Sequence, residues 1–458
     1  LADEGVAKQK GVDPKVRQKF SENTEVVVWT PGSSKGMPIC INPLQFDGVE
    51  ELNAEDKIRY FSATAKNIVN LIGYELDSDD GKSSEAVLST LFEYCFNSNI
   101  LLNSFKDVIQ LIGNLPGPVE EVAGTVATGK FMRTLHKKLS LLNLGARKLI
   151  FHTGVPASID TLLGLDGSTD KTRISVIYLN TLHTAEEKNF FISGICQLLY
   201  SWMLKNPLAD GQDGPQCALA IDEIAPYIPP VKVPACKDSL NLLFRQGRKY
   251  GVSCLVATQS PGDIDYKAVA QFSTMAIGTL NTEQEKRKVK GRLESVAPKE
   301  INFIMRKMPA IKRGEFFIIS PDEFQKVQQL TVRWLVTKHR PIPEDQLKGL
   351  IPDSVLSFYE EKMITDESNL SPIEDADTEL TMAKAQGEPF SDEEIFVVEN
   401  RIIERDLAKK IRSHLKGTII KSEKLERSKF NYYPLIKVGL DFIDKKGLFK
   451  KIQTKIPE

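Results

Sequence analysis

The stretch ALAIDEIAPYIPP, residues 218–230, decides how this chain reads. Apolar residues run straight into two adjacent carboxylates, Asp222 and Glu223, and prolines then break the chain. A short apolar run bounded in this way reads as a buried strand. In a parallel sheet both carboxylates would stand at the carboxyl edge, where α/β proteins bind their ligands. An acidic cap on a following helix is the plainer reading of the same pair, so the surrounding sequence has to decide.

One helical pattern later comes FRQGRKYGVSCLVATQSPGDID, residues 244–265. It holds a basic cluster with Arg245 and Arg248, a second apolar strand, and a strand tip that ends in Thr258 and Gln259. In nucleotide hydrolases an Asp at a strand end holds Mg²⁺, largely through water because the ion keeps most of its hydration shell. The neighbouring Glu can orient or deprotonate the attacking water. A polar side chain at the next strand tip would lie beside the terminal phosphate. Singly these features are ordinary: arginines favour helix carboxyl ends, and polar residues end strands. Their order and spacing together are the signal.

The rest of the chain is organised around this segment. TEVVVWTP, residues 24–31, reads as a buried strand, and helical periodicity takes over from about residue 54 to 144. Strands are expected again in RKLIFHTG (147–154), RISVIYLN (173–180), CALAIDEI (217–224), VSCLVATQ (252–259), TMAIGTL (274–280) and GEFFIIS (314–320). Helical patterns separate several of them, notably residues 186–206 and 238–251. Apolar strands alternating with helices predict an α/β fold with a mainly parallel sheet covered on both faces. Beyond about residue 341 the character changes. Residues 360–394 are acidic and read as a connection, and residues 401–458 carry sixteen Lys or Arg against seven Asp or Glu. That basic tail shows two helical patterns and then a small hairpin, in YYPLIKVGLDF and KKGLFKKIQTKI.

Composition narrows the function classes. A net charge of -1 over 458 residues gives the whole molecule no bias toward nucleic acid or membrane, so any such bias is local. Cys40, Cys95, Cys196, Cys217, Cys236 and Cys254 are scattered without metal-ligand spacing. They read as free thiols of a reducing cytoplasm. No run of about 18 apolar residues offers a membrane span, so no membrane partner is expected.

Taken together, residues 218–229, 244–269, 274–285 and 331–342 resemble the ATPase core of the HerA/FtsK superfamily, most of all its HerA-like DNA translocases. VVVWTPGSSKGMPICINPL, residues 26–44, fits the strand and turn that follow the family's phosphate-binding loop. The likeness spans about residues 1–343. It implies a RecA-like, mainly parallel sheet with a helical insertion, ATP and Mg²⁺ as cofactors, and a homo-oligomeric ring, usually a hexamer, that moves double-stranded DNA beside a nuclease or other effector. By the same likeness Asp222 resembles the Walker B aspartate that meets Mg²⁺ through water, and Glu223 the catalytic glutamate. Gln259 resembles the sensor, with Thr258 beside it toward the nucleotide. Arg248 resembles the arginine that reaches a neighbouring subunit's nucleotide, with Arg245 second. The implied layout is the start of the ATPase core in residues 1–53, a helical insertion in 54–145, the core with Walker B in 146–343, a helical and acidic linker in 344–400, and a small basic α+β domain in 401–458.

One part has no counterpart. The G-x-x-x-x-G-K stretch of this chain, GTVATGK at residues 124–130, is followed by Phe131 instead of a hydroxyl and is preceded by no strand pattern. It reads as a chance match within the helical insertion. The opening LADEG resembles residues that follow the family's true loop, so the sequence reads as a segment that begins after it. Such a segment alone is expected to hydrolyse ATP negligibly and to leave a gap in its sheet. Two other functions stay open: a non-catalytic, degenerate ring subunit, and a secretion or protein-remodelling ATPase of the same superfamily. Trp334, in the expected closing strand at residues 332–340, reads as core.

Overall fold

The computed structural model describes residues 4–363, apart from isolated positions and the stretch 210–213, together with three strands near the carboxyl end. Contacts divide the chain into Leu1–Glu367 and Ser368–Glu458.

The first unit opens with helices α1 (Glu4–Gln9) and α2 (Pro14–Asn23); Asp13 caps α2 by accepting from the Lys15 N–H, and Pro14 stands where no amide partner is needed. Strand β1 (Thr24–Pro31) follows, then β2 (Met37–Cys40). The insertion is a run of helices: α3 (Ala54–Leu71), α4 (Asp79–Asn97), α5 (Phe105–Gly113), α6 (Gly117–Ala123) and α7 (Gly129–Ser140). Asn53, Ser78, Ser104 and Thr128 cap four of them with side-chain oxygens on free backbone amides. Next come α8 (Lys148–His152), β3 (Val155–Pro156), α9 (Ile159–Leu163), β4 (Thr172–Ile177) and the long α10 (Ala185–Lys205). A Thr184–Glu187 capping box starts α10.

Strands β3, β2, β1 and β4 form, in that order, an all-parallel sheet. Strands β5 (Cys217–Ile221) and β6 (Val252–Val256) pair parallel with one another, joined through α11 (Cys236–Gln246). A mixed α/β fold with parallel strands is therefore present, as the alternating pattern predicts. Among the described residues β6 pairs on one side only, with β5, and its Leu255 is exposed.

The helical insertion is not a separate body. Its apolar faces enter the same core as the sheet: Phe61, Ile68, Leu88 and Phe92 pack in one cluster with Val27, Trp29, Met37 and Ile39. Phe105, Phe151 and Phe190 form a chain of edge-to-face rings at 4.7 and 5.3 Å, tying α5 through α8 to α10.

Three expectations are corrected. Residues 148–152, expected in a strand, form α8; a three-residue apolar run fits a buried helical turn as well as a strand. After α12 (Tyr266–Val269), β7 (Met275–Ile277) and β8 (Glu315–Ile319) do not extend the parallel sheet. They pair antiparallel with each other, and β8 with β9 (Gln328–Thr331). Helices α13 (Glu283–Val296) and α14 (Ile301–Lys307) join this sheet around a second apolar cluster that includes Val289, Leu293, Ile304, Met308 and Phe317. The closing strand ends at Thr331, so residues 332–338 are not strand, and Trp334 is 49% exposed with the Lys10 ammonium 4.9 Å from its ring centre. Cation–π contact at the surface, not core packing, is what holds that ring.

The chain of the first unit closes on α15 (Asp353–Tyr359). In the second unit β10 (Lys424–Tyr433), β11 (Leu435–Ile443) and β12 (Phe449–Lys455) form an antiparallel meander, one strand more than the expected hairpin. Of the stretch before residue 432, where two helical patterns are expected, residues 424–431 belong instead to β10; residues 401–423 and most of the acidic connection lie outside the described residues.

Candidate functional site

The register of β5 on β6 sets the site. Ile221 pairs with Val256, and the ladder runs on past the strand ends: Ala257 N–H donates to Ile221 O at 3.0 Å, and Ile224 N–H to Ala257 O at 2.9 Å. Asp222 and Glu223 are thereby held against Ala257, Thr258 and Gln259 at the carboxyl edge of the pair. The Thr258 hydroxyl donates to Glu223 Oε1 at 2.7 Å, and the Gln259 backbone N–H donates to Glu223 Oε2 at 3.1 Å. Both carboxylate oxygens are thus gripped by the neighbouring strand tip.

Glu223 adopts a left-handed backbone conformation, φ 52°. For a residue with a Cβ this costs roughly 1–2 kcal/mol, and such strain persists where the surroundings over-determine it. Here Ile224 and Ile228 are buried and pin the chain after the turn, while the two hydrogen bonds pin the carboxylate before it. A carboxylate has about four lone-pair sites. The two donors leave room for a water proton, so Glu223 is oriented and still able to act as a base.

Asp222, one residue earlier, is exposed at the end of β5. It offers a hard carboxylate oxygen, the donor that Mg²⁺ takes from protein when water and phosphate fill its other positions. The residues present fit that ion in this limited way. Among the described residues no three His, Cys, Asp or Glu side chains gather as a metal cage.

Gln259 is exposed, and its backbone N–H stands at the same edge as Asp222. The two arginines are elsewhere. Arg245, in the last turn of α11, is exposed and donates from Nε to Asn241 O at 3.2 Å. Arg248 lies in the turn that precedes β6, 89% exposed, with Asp322 Oδ2 at 3.9 Å. The turn is at the amino end of β6 and Thr258 just past its carboxyl end. Val252 to Thr258 is six residue steps, about 20 Å of extended chain. The structure therefore brings Asp222, Glu223, Thr258 and Gln259 together and sets Arg245 and Arg248 at the opposite edge.

Residues 124–130 join α6 to α7, with Thr128 capping the second helix through the Phe131 N–H. No strand leads into the turn, and Lys130 is exposed in the first helical turn.

Sequence reasoning missed Lys237 and Asp265, which form a buried ion pair at 2.8 Å behind the site. A Lys in the first turn of a helix and an Asp capping a short one carry no signal in sequence; only the fold brings them together.

The thiols take no part in the site. Burial pushes Cys40 and Cys236 up to about 12 and Cys95 and Cys254 up to about 11, and raises Cys217 and Cys196 as well.

Among the described residues no helix is long and apolar enough to cross a membrane. No family model matches the chain, and no curated protein matches it. Solved structures do. VirB4 of Thermoanaerobacter pseudethanolicus is 13% identical over 73% of this chain and 87% of its own, with a TM-score of 0.44. The genome packaging NTPase B204 of Sulfolobus turreted icosahedral virus 2, solved with AMP, is 16% identical over 37% of this chain and 72% of its own, with a TM-score of 0.27. The same NTPase solved with ATP-gammaS is 13% identical over the same shares, with a TM-score of 0.26. Likeness at this level assigns no chemistry, which rests on the residues above.

Proposed function

We propose that this chain is the motor part of an ATP-driven ring, of HerA type, that moves double-stranded DNA. The observation that carries the reading is the grip of Thr258 and Gln259 on Glu223 beside an exposed Asp222. A strained acidic residue whose two oxygens are fixed by the next strand tip is more than a helix cap: the next helix among the described residues, α11, starts only at Cys236. In this reading Glu223 orients a water and takes its proton as the water attacks the terminal phosphate. Mg²⁺, met by Asp222 through water, would neutralise charge on the phosphates. Gln259 faces the same edge and senses the phosphate. Thr258 holds the base. Arg248, too far from its own site, serves the nucleotide of the next subunit in a homo-oligomeric ring, probed below. A nuclease or other effector working on the moved DNA is part of the same proposal, as is a cytoplasmic place of action.

The phosphate cradle is not at residues 124–130, because that turn lacks the strand and the following hydroxyl that a cradle needs. The proposal accordingly assigns this chain the metal and water side of the site.

The test is ATP turnover by the full-length protein with and without double-stranded DNA, for wild type and Glu223→Gln. Loss of the base should cost about 10² to 10⁴ in rate while nucleotide affinity is kept. Turnover that falls less than tenfold, or that ignores DNA, would sink the base assignment or the DNA assignment respectively.

A further inference from the structure

Behind the two strand tips, Lys237 sits in the first turn of α11 with its side chain only 8% exposed. Its ammonium donates to Pro229 O at 2.6 Å, contacts Asp265 Oδ2 at 2.8 Å and reaches Lys232 O at 3.5 Å. Three donors thus meet three acceptors. Asp265 in turn donates its backbone N–H to Ile228 O at 2.8 Å, and its other carboxylate oxygen accepts from the Lys267 N–H at 2.9 Å, capping α12.

The two ends of this pair belong to different loops. Ile228 and Pro229 lie on the segment that leaves Glu223, and Asp265 lies on the segment that leaves Gln259. The same two segments are tied at their start by Thr258 and Gln259 on Glu223. They are therefore fastened twice, at the site and about six residues beyond it.

A buried ion pair is a poor choice for stability alone, since a well-packed apolar pair of similar volume often does as well or better. What it adds here is direction. The ammonium needs two carbonyls and a carboxylate at fixed places, so the segments cannot slide past each other as apolar surfaces can.

We infer that Lys237 and Asp265 are a positioning pair for Glu223, clamping the loop after Glu223 to the loop after Gln259 so that the carboxylate meets Thr258 and the Gln259 N–H in its left-handed turn. The inference rests on Glu223 being the base of the proposed ATPase. Neither residue touches the reacting atoms; each acts through the backbone that carries Glu223.

The experiment compares full-length wild type, Lys237→Met/Asp265→Leu, Asp265→Asn and Glu223→Gln in steady-state ATP hydrolysis and thermal unfolding. The double variant removes both charges, so no uncompensated charge is left to unfold the protein. A positioning role predicts a midpoint close to wild type, kcat down at least tenfold and KM for ATP within about twofold. Asp265→Asn keeps the shape and the α12 cap but leaves the Lys237 ammonium without its counter-charge, so it is assayed below its own unfolding midpoint; there it is expected to lose kcat several-fold at unchanged KM, and it decides the matter if the double variant does not fold. Wild-type kcat in either folded variant, with Glu223→Gln inactive, overturns the clamp and leaves the base in place. Full turnover in Glu223→Gln overturns the base and the clamp with it.

Discussion

The Arg173 guanidinium donates to the Tyr359 hydroxyl at 2.7 Å, across 186 residues of chain, and so fastens α15 to β4. Arg173 has no exposed side-chain surface. Its guanidinium also donates to Glu25 and, at 3.0 Å, to Thr161 O; the Tyr359 hydroxyl donates in turn to Asp166 Oδ2 at 2.7 Å. The Tyr359 ring stands edge-on to Trp29 at 5.7 Å. Tyr359→Phe keeps the ring and removes the hydroxyl, leaving one guanidinium donor short of a partner. The expected loss is about 1–3 kcal/mol. Glu25→Ala strands a buried charge and should cost more, about 3–5 kcal/mol. Urea unfolding of both variants checks the order; equal effects would mean that Arg173 is solvated and the network idle.

Acid should loosen the same network. Burial alone would raise the Asp166 carboxyl, but the Ser168 and Tyr359 hydrogen bonds and the Arg173 charge hold it below its ordinary value. Asp265 behaves alike: burial opposes it, and the hydrogen bonds from Lys237 and the Lys267 N–H win. A carboxyl lowered in the folded state adds stability that is complete above its unfolded value, about 3.9, and is lost as pH falls through the lower folded value. The protein should therefore lose stability below about pH 4, and Asp166→Asn should flatten that acid limb while lowering stability at pH 7. An unchanged acid limb would assign the loss to other carboxylates.

What the sequence showed and what it hid divide along one physical line. An apolar run that ends in charge reveals a strand and its exposed end, so Asp222 and Glu223 were legible, as were β1, β4, β6 and α10. Register is not written locally. That Glu223 faces Thr258 follows from Ile221 pairing with Val256, a contact between segments 35 residues apart. The same limit hid Lys237 and Asp265. Trp334 reads as core in sequence because Val332, Leu335 and Val336 surround it, whereas the strand stops three residues before it. The helix α8 was misread because Leu149, Ile150 and Phe151 are too few to show a period.

Thr258 should matter to rate more than to nucleotide affinity. Its hydroxyl is one of the two groups orienting Glu223. A hydrogen bond to a charged group is worth about 1.5–3 kcal/mol, so Thr258→Val should lower kcat roughly 10- to 100-fold, and Thr258→Ser should restore most of it. A large rise in KM for ATP with kcat intact would instead assign the hydroxyl to the nucleotide.

The cysteines should be inert in the folded protein. Burial raises every one of the six, so the thiolate that reacts with alkylating agents is scarce at pH 8. Iodoacetamide should label the native chain slowly and label all six after denaturation, as mass spectrometry would show. Rapid labelling of Cys217 or Cys254, the two half-buried ones, would mean that the β5–β6 pair opens readily.

Arg248 carries the sharpest prediction, because its place excludes one role. It stands at the amino end of β6, about 20 Å of extended chain from Thr258, with its side chain in solvent. It cannot reach a nucleotide held at the Asp222–Glu223 edge of its own subunit. If it serves hydrolysis, it does so for a neighbour, and an arginine supplied in this way is worth roughly 10³ to 10⁵ in rate. Arg248→Ala should then leave the full-length protein folded and able to bind ATP, yet nearly inactive. Its contact with Asp322 is exposed and screened, so the substitution should hardly move stability. Mixing provides the decision. Rings that combine Arg248→Ala chains with Glu223→Gln chains contain interfaces where an intact Glu223 meets an intact Arg248, and these should recover part of the activity. No such interface forms if both residues act within one chain. Mixed rings, shown by mass to contain both variants and still inactive, would remove the trans role from Arg248 and pass it to Arg245, which shares the exposed edge.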